Sequence, residues 1–126
     1  MKKRYSSDAT EKLLKRAQDT YGYRNQVSVA IEECCELGQI LSKYVRYPSH
    51  LEASEKLRDQ IIEEVADVTV CMIHLRTIFK IQPEELLSAM DIKLERLERW
   101  LDSSNDMYQT TIDRGLSKDA TGDKKI

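Results

Sequence analysis

The sequence predicts an all-α fold with a four-helix-bundle-like core completed by oligomerisation, and three observations carry that expectation. Glycine and proline are scarce, four and two in 126 residues. No Asn-Gly or Asp-Gly stands between alternating runs, as a hairpin would need. Apolar residues recur instead at three- and four-residue spacing, the period of a helix with one face on a core. A first helix is expected from Asp8, with Glu11 completing an Asp-x-x-Glu capping box, through Leu13, Leu14, Ala17 and Tyr21 to a stop at Gly22.

The second helix begins near Asn25 and carries Val27, Ala30, Ile31, Cys34, Leu37, Gly38, Leu41 and Tyr44 as a stripe that ends before Pro48. Ser49 and Glu52 are placed to cap the next segment, although Ala53 to Asp59 is polar enough for the ordered helix to start later. From Ile61 to Phe79 the third helix is apolar nearly all round, so most of its sides must be covered, and we expect a second copy of the chain to cover one of them. Pro83 suits a first helical position, and Leu86, Leu87, Met90, Leu94, Leu97 and Leu101 form the stripe of a fourth helix. The helical domain is read as residues 1–101, and residues 102–126 as a polar tail, flexible or contacting another subunit.

Composition narrows the function. A net charge of −2, with 33% of residues charged, leaves no basic excess for a nucleic-acid polymer. No apolar region follows Met1-Lys2-Lys3-Arg4, and no run is long enough to span a membrane, so a soluble, cytoplasmic protein is expected. Three cysteines, Cys34, Cys35 and Cys71, read as reduced packing residues rather than a disulfide framework.

The chemistry gathers in two acidic clusters inside apolar stretches, Glu32-Glu33-Cys34-Cys35-Glu36 and Glu63-Glu64-Val65-Ala66-Asp67. Carboxylates three apart share one side of a helix, so two packed helices bring Glu33, Glu36, Glu64 and Asp67 together. Four such oxygens suit a hard cation, Mg²⁺ or Mn²⁺. At 100° per residue, Glu64 projects between Cys71 and Leu75, and Asp67 between His74 and Ile78, within the apolar sector where an unpaired carboxylate is costly. Glu33 projects to the edge of its stripe and Glu36 further out, while Glu32 and Glu63 read as surface charges. The Glu-x-x-His pair of di-iron bundles is missing, since Cys71 stands three before His74 and Ala53 three after His50; His74 reads as a packed or partly exposed side chain. On the fourth helix Lys93, Arg96 and Trp100 share one flank, and basic groups beside a carboxylate-held cation suit a triphosphate.

At these residues the sequence resembles the MazG-like all-α nucleoside triphosphate pyrophosphohydrolases. Their signature, Glu-x-x-Glu, a spacer and Glu-x-x-Asp, reads here as Glu33-Cys34-Cys35-Glu36, 27 residues, then Glu64-Val65-Ala66-Asp67. The likeness extends over Ile31 to Leu37 and Glu63 to Val68, and covers roughly residues 20 to 100. It implies Mg²⁺, with Mn²⁺ as an alternative, held by Glu33, Glu36, Glu64 and Asp67, which are then also the catalytic residues. It further implies substrate contacts from Gln26, Lys93 and Arg96, cleavage of an NTP or dNTP to monophosphate and pyrophosphate, and a homodimer or homotetramer. Val29 departs from the family, standing where a lysine is often found. Two other readings fit the same text: a non-catalytic helical module for dimerisation or nucleotide sensing, and an enzyme like phosphoribosyl-ATP pyrophosphohydrolase.

Overall fold

A computed structural model describes residues 4–46 and 54–113, and these form four α-helices with no strand. The expected caps at Ser49 and Glu52, the turn at Pro48 and residues 114–126 of the tail lie outside the described residues. The chain divides into two compact units, Met1–Ile81 and Gln82–Ile126.

In the first unit, α1 (Ser7–Tyr21), α2 (Tyr23–Arg46) and α3 (Ser54–Ile78) all touch one another, and α2 against α3 is the main contact. The cap of α1 corrects the sequence reading. Ser6, not Asp8, is the N-cap, and its hydroxyl accepts the Ala9 N–H at 3.1 Å. Asp8 instead pairs with Lys12 across one turn at 2.8 Å. The predicted stop at Gly22 holds: its N–H donates to the Gln18 carbonyl, and its own carbonyl accepts from Gln26 of α2. With φ 84° and ψ 150°, Gly22 occupies backbone space that is nearly closed to other residues. One residue therefore ends α1 and starts α2, which begins two residues earlier than expected.

Helices α2 and α3 run antiparallel: the late part of α2 shares a cleft with the early part of α3, and the early part of α2 with the end of α3. Their inward residues follow alternate steps of four and three. On α2 these are Gln26, Ala30, Glu33, Leu37 and Ile40; on α3 they are Leu57, Ile61, Glu64, Val68, Cys71, Leu75 and Ile78, all buried or half-buried. This is the heptad spacing of a two-helix seam. Ala30 and Ile40, 4% and 8% exposed, are its best-buried apolar residues. His74, 5% exposed, is packed as expected.

The polar stretch from Ser54 to Asp59 is helical, so α3 starts seven residues ahead of Ile61. Glu55, Lys56, Leu57 and Arg58 are all good helix formers, and polarity alone does not argue against helix. The C-terminus of α3 closes with Lys80 in the left-handed region, φ 52°. The Ile81 N–H reaches the Arg76 carbonyl at 2.9 Å and the Lys80 N–H the Thr77 carbonyl at 3.3 Å, the paired bonds of a Schellman cap.

The second unit is α4 (Pro83–Asp113). Pro83 takes the first helical position as predicted, and the Gln82 N–H donates to Glu85 Oε2 at 2.8 Å. Residues 102–113, expected as a polar tail, continue this helix, so the division anticipated at 101/102 falls within it. Ser, Asn and Asp cost only about 0.5–0.7 kcal/mol each relative to Ala, and extending a formed helix is cheaper than starting one. The Gln109 amide donates to Asp113 at 3.0 Å, an i,i+4 pair that supports the last turn.

Candidate metal centre

Two of the seam positions that should hold apolar side chains hold carboxylates, Glu33 on α2 and Glu64 on α3. Because the helices are antiparallel, these positions face one another near the middle of the seam, and Asp67 stands one turn beyond Glu64 on its rim. One carboxylate oxygen from each of Glu33, Glu64 and Asp67 lies within 4.8 Å of the other two. Opposite ligands of a Mg²⁺ octahedron stand about 4.2 Å apart, so sub-ångström movement would close this set around one cation.

The electrostatics are those of a site short of positive charge. Glu33 Oε2 and Glu64 Oε2 are buried and have no hydrogen-bond partner among the described residues. Removal from water, then the charges of Asp67, Glu36, Glu64 and Glu32, push the Glu33 carboxyl above its ordinary 4.5. Removal from water, then Glu36, Asp67 and Glu63, does the same to Glu64. Cys71, two seam positions beyond Glu64, has its thiol raised by burial and then by Glu33, Cys34 and Asp67. His74 is held below 6.5 by burial alone, and its Nε2 also has no partner among the described residues.

The structure shifts the balance among the predicted acids. Projection placed Glu64 and Asp67 in the apolar sector and Glu33 at an edge. Glu33 and Glu64 are instead the inward pair, and Asp67 is exposed. An all-round apolar α3 gives projection no unique sector; only the seam with α2 defines one. Glu36 is exposed and outside the set of three, yet near enough to raise both inward acids, and it lines the adjoining cavity. Glu32 and Glu63 are exposed, as surface charges should be.

The other predicted residues lie elsewhere. Gln26 is on the seam two turns before Glu33, and its side-chain amide donates to Asn25 Oδ1 at 3.1 Å. Lys93 and Arg96 are exposed on α4, in the second unit. Cys34 and Cys35, expected as packing residues, are exposed free thiols. With Val27, Ala30, Ile31, Leu75 and Phe79 they line an apolar groove of about 450 Å³.

A second cleft was not anticipated. Glu36, Gln39, Ile40 and Lys43 of α2 and Gln60, Glu63 and Glu64 of α3 enclose about 320 Å³. The signal was in the text, since Gln39 and Lys43 fall three and seven residues after Glu36, and Gln60 four before Glu64, on strips shared with the acids. Comparison with protein-family models, with curated proteins and with solved structures gave no match to this chain.

Proposed function

We propose that the protein is a Mg²⁺-dependent nucleoside triphosphate pyrophosphohydrolase that converts an NTP or dNTP to its monophosphate and pyrophosphate. One observation carries this reading: in a mostly apolar seam Glu33 and Glu64 bury carboxylate oxygens that have no hydrogen-bond partner among the described residues, and one carboxylate oxygen of each lies within 4.8 Å of the other and of one from Asp67. Such groups are costly without a compensating cation, and an all-oxygen set selects a hard one. The two-part acidic motif that supplies these residues is also where the chain resembles the MazG-like family.

Glu33, Glu64 and Asp67, with Glu36 beside them, would hold a divalent cation, which would supply charge neutralisation for the phosphates and a water of lowered pKa. The chain's own residues do the rest. In the cleavage, a water oxygen bonds to the α-phosphorus, and the α–β bridging oxygen leaves on pyrophosphate with its electron pair. An acid at the cavity wall takes the water's proton. The resemblance assigns phosphate binding to Lys93 and Arg96 of α4 and a base or sugar contact to Gln26. A homodimer or homotetramer covers the outward apolar residues of α3, among them Ile62, Val65, Val70 and Met72.

Incubation with a panel of NTPs and dNTPs plus Mg²⁺ should release pyrophosphate, and release of single orthophosphates would overturn the reaction assigned. Glu64→Gln should lower turnover by at least about 100-fold with the helical circular-dichroism spectrum unchanged. Wild-type turnover in that variant would remove the metal assignment.

A further inference from the structure

The 320 Å³ cleft beside the acids contains a cation that the motif does not account for. Lys43, two turns beyond Glu36 on α2, lines it together with Gln39 and Gln60. Three carboxylates, Glu36, Glu63 and Glu64, share this lining, yet among the described residues Lys43 forms no ion pair with them. Ile40, 8% exposed, is its apolar floor. The opening thus offers one ammonium and two carboxamides, all hydrogen-bond donors, next to carboxylates suited to a hard cation.

Size and charge restrict what fits. At about 320 Å³ the cleft is at the low end of the roughly 300–1,000 Å³ typical of small-molecule sites, room for a short phosphate chain rather than a whole nucleotide. With Glu33 and Asp67 included, five ionised carboxylates and one ammonium leave four negative charges, so an anion enters only with divalent cations, two of which bring the balance to zero. Helical phase also orients the site. At 100° per residue, Glu33 and Asp67 both lean from the seam toward the flank that carries Glu36, Lys43 and Gln60, so cations on the acids would face the cleft.

We propose that this cleft binds a diphosphate as its divalent-cation complex, with Lys43 as the direct cationic contact and Gln39 and Gln60 as neutral donors. Resting on the reaction read above, the ligand is the β,γ-portion of the substrate, which leaves as pyrophosphate. Lys43 is then a substrate-binding residue supplied by the same unit as the acids.

The test is calorimetric titration of the full chain with inorganic pyrophosphate in Mn²⁺, for wild type, Lys43→Ala and Lys43→Arg, alongside steady-state kinetics on the best nucleotide. Lys43→Ala should weaken pyrophosphate binding about tenfold or more, Lys43→Arg should restore part of it, and Mn²⁺ binding without pyrophosphate should not change. Because Lys43 is exposed near a helix end, neither variant endangers the fold. Equal pyrophosphate affinity in Lys43→Ala and wild type, or no binding by wild type, overturns the proposal even if nucleotides are hydrolysed. Lys43-dependent pyrophosphate binding in a protein that hydrolyses none of them sustains the cleft and refutes the reaction instead.

Discussion

The two clefts between α2 and α3 are built by the same pair of helices and differ in almost every chemical respect. The one lined by Glu36, Gln39, Ile40, Lys43, Gln60, Glu63 and Glu64 has a single apolar side chain. The one lined by Val27, Ala30, Ile31, Cys34, Cys35, Leu75 and Phe79 has no charged group. Both use three- and four-residue spacing, but in different helical phase, so they open on opposite flanks of one seam. Two helices can therefore give one face to ions and the other to apolar matter without a loop or a third layer. Between them, Glu33 and Glu64 sit in the seam itself and lean toward the polar side.

The largest structural effect should come from the floor of the polar cleft. Ile40→Ala removes a side chain that is 8% exposed and should cost about 2–4 kcal/mol in denaturant unfolding. Ile31→Ala, in the apolar groove at 60% exposure, should cost less than about 1 kcal/mol. Equal costs would show that the groove is covered in solution and that the contrast between the clefts is incomplete.

A smaller effect should come from the seam acids. Glu64 has its folded pKa raised above 4.5, so its contribution favours the fold below that value and is lost as pH rises through the folded pKa. In chelator at pH 7, Glu64→Gln should therefore melt above wild type, and the gain should vanish as pH falls to about 4.5. His74, lowered from 6.5, acts with the opposite sign: its contribution is present above 6.5 and lost below. Common to both proteins, it cancels in their difference. A variant no more stable than wild type at pH 7 would mean that the buried oxygens carry no repulsion to relieve.

The mildest probe is thiol labelling. Cys34 and Cys35 are exposed on the groove side, whereas Cys71 is half-buried on the seam with its thiol raised. A thiol reagent at pH 8 should modify two cysteines quickly and the third much more slowly. One fast thiol would place a cover over the groove.

How far these contrasts could be read from the text depended on whether one helix or two defined them. Helix identity, the stop at Gly22 and the start at Pro83 follow from local chemistry, and all three hold. Asp8 with Glu11 fits a capping pattern in sequence, but the hydroxyl of Ser6, two residues earlier, makes the bond. The acids were found by spacing, but their ranking was not, because burial at Glu33 depends on which side of α2 meets α3. A heptad reading, Gln26-Ala30-Glu33-Leu37-Ile40 against Leu57-Ile61-Glu64-Val68-Cys71, would have picked out Glu33 and Glu64 and left Asp67 on the rim. The helical continuation through residues 102–113 was hidden by treating polar sequence as a helix terminator.

Gly22 limits how this chain can vary. A Cβ there would meet nothing within 4 Å, so the neighbourhood would admit any side chain, yet the backbone at φ 84° and ψ 150° suits glycine almost alone. Tyr21 and Tyr23 on either side are exposed, and the Tyr23 hydroxyl accepts from Arg24 Nε at 3.3 Å. Mutational tolerance at Gly22 is thus set by torsion rather than by crowding.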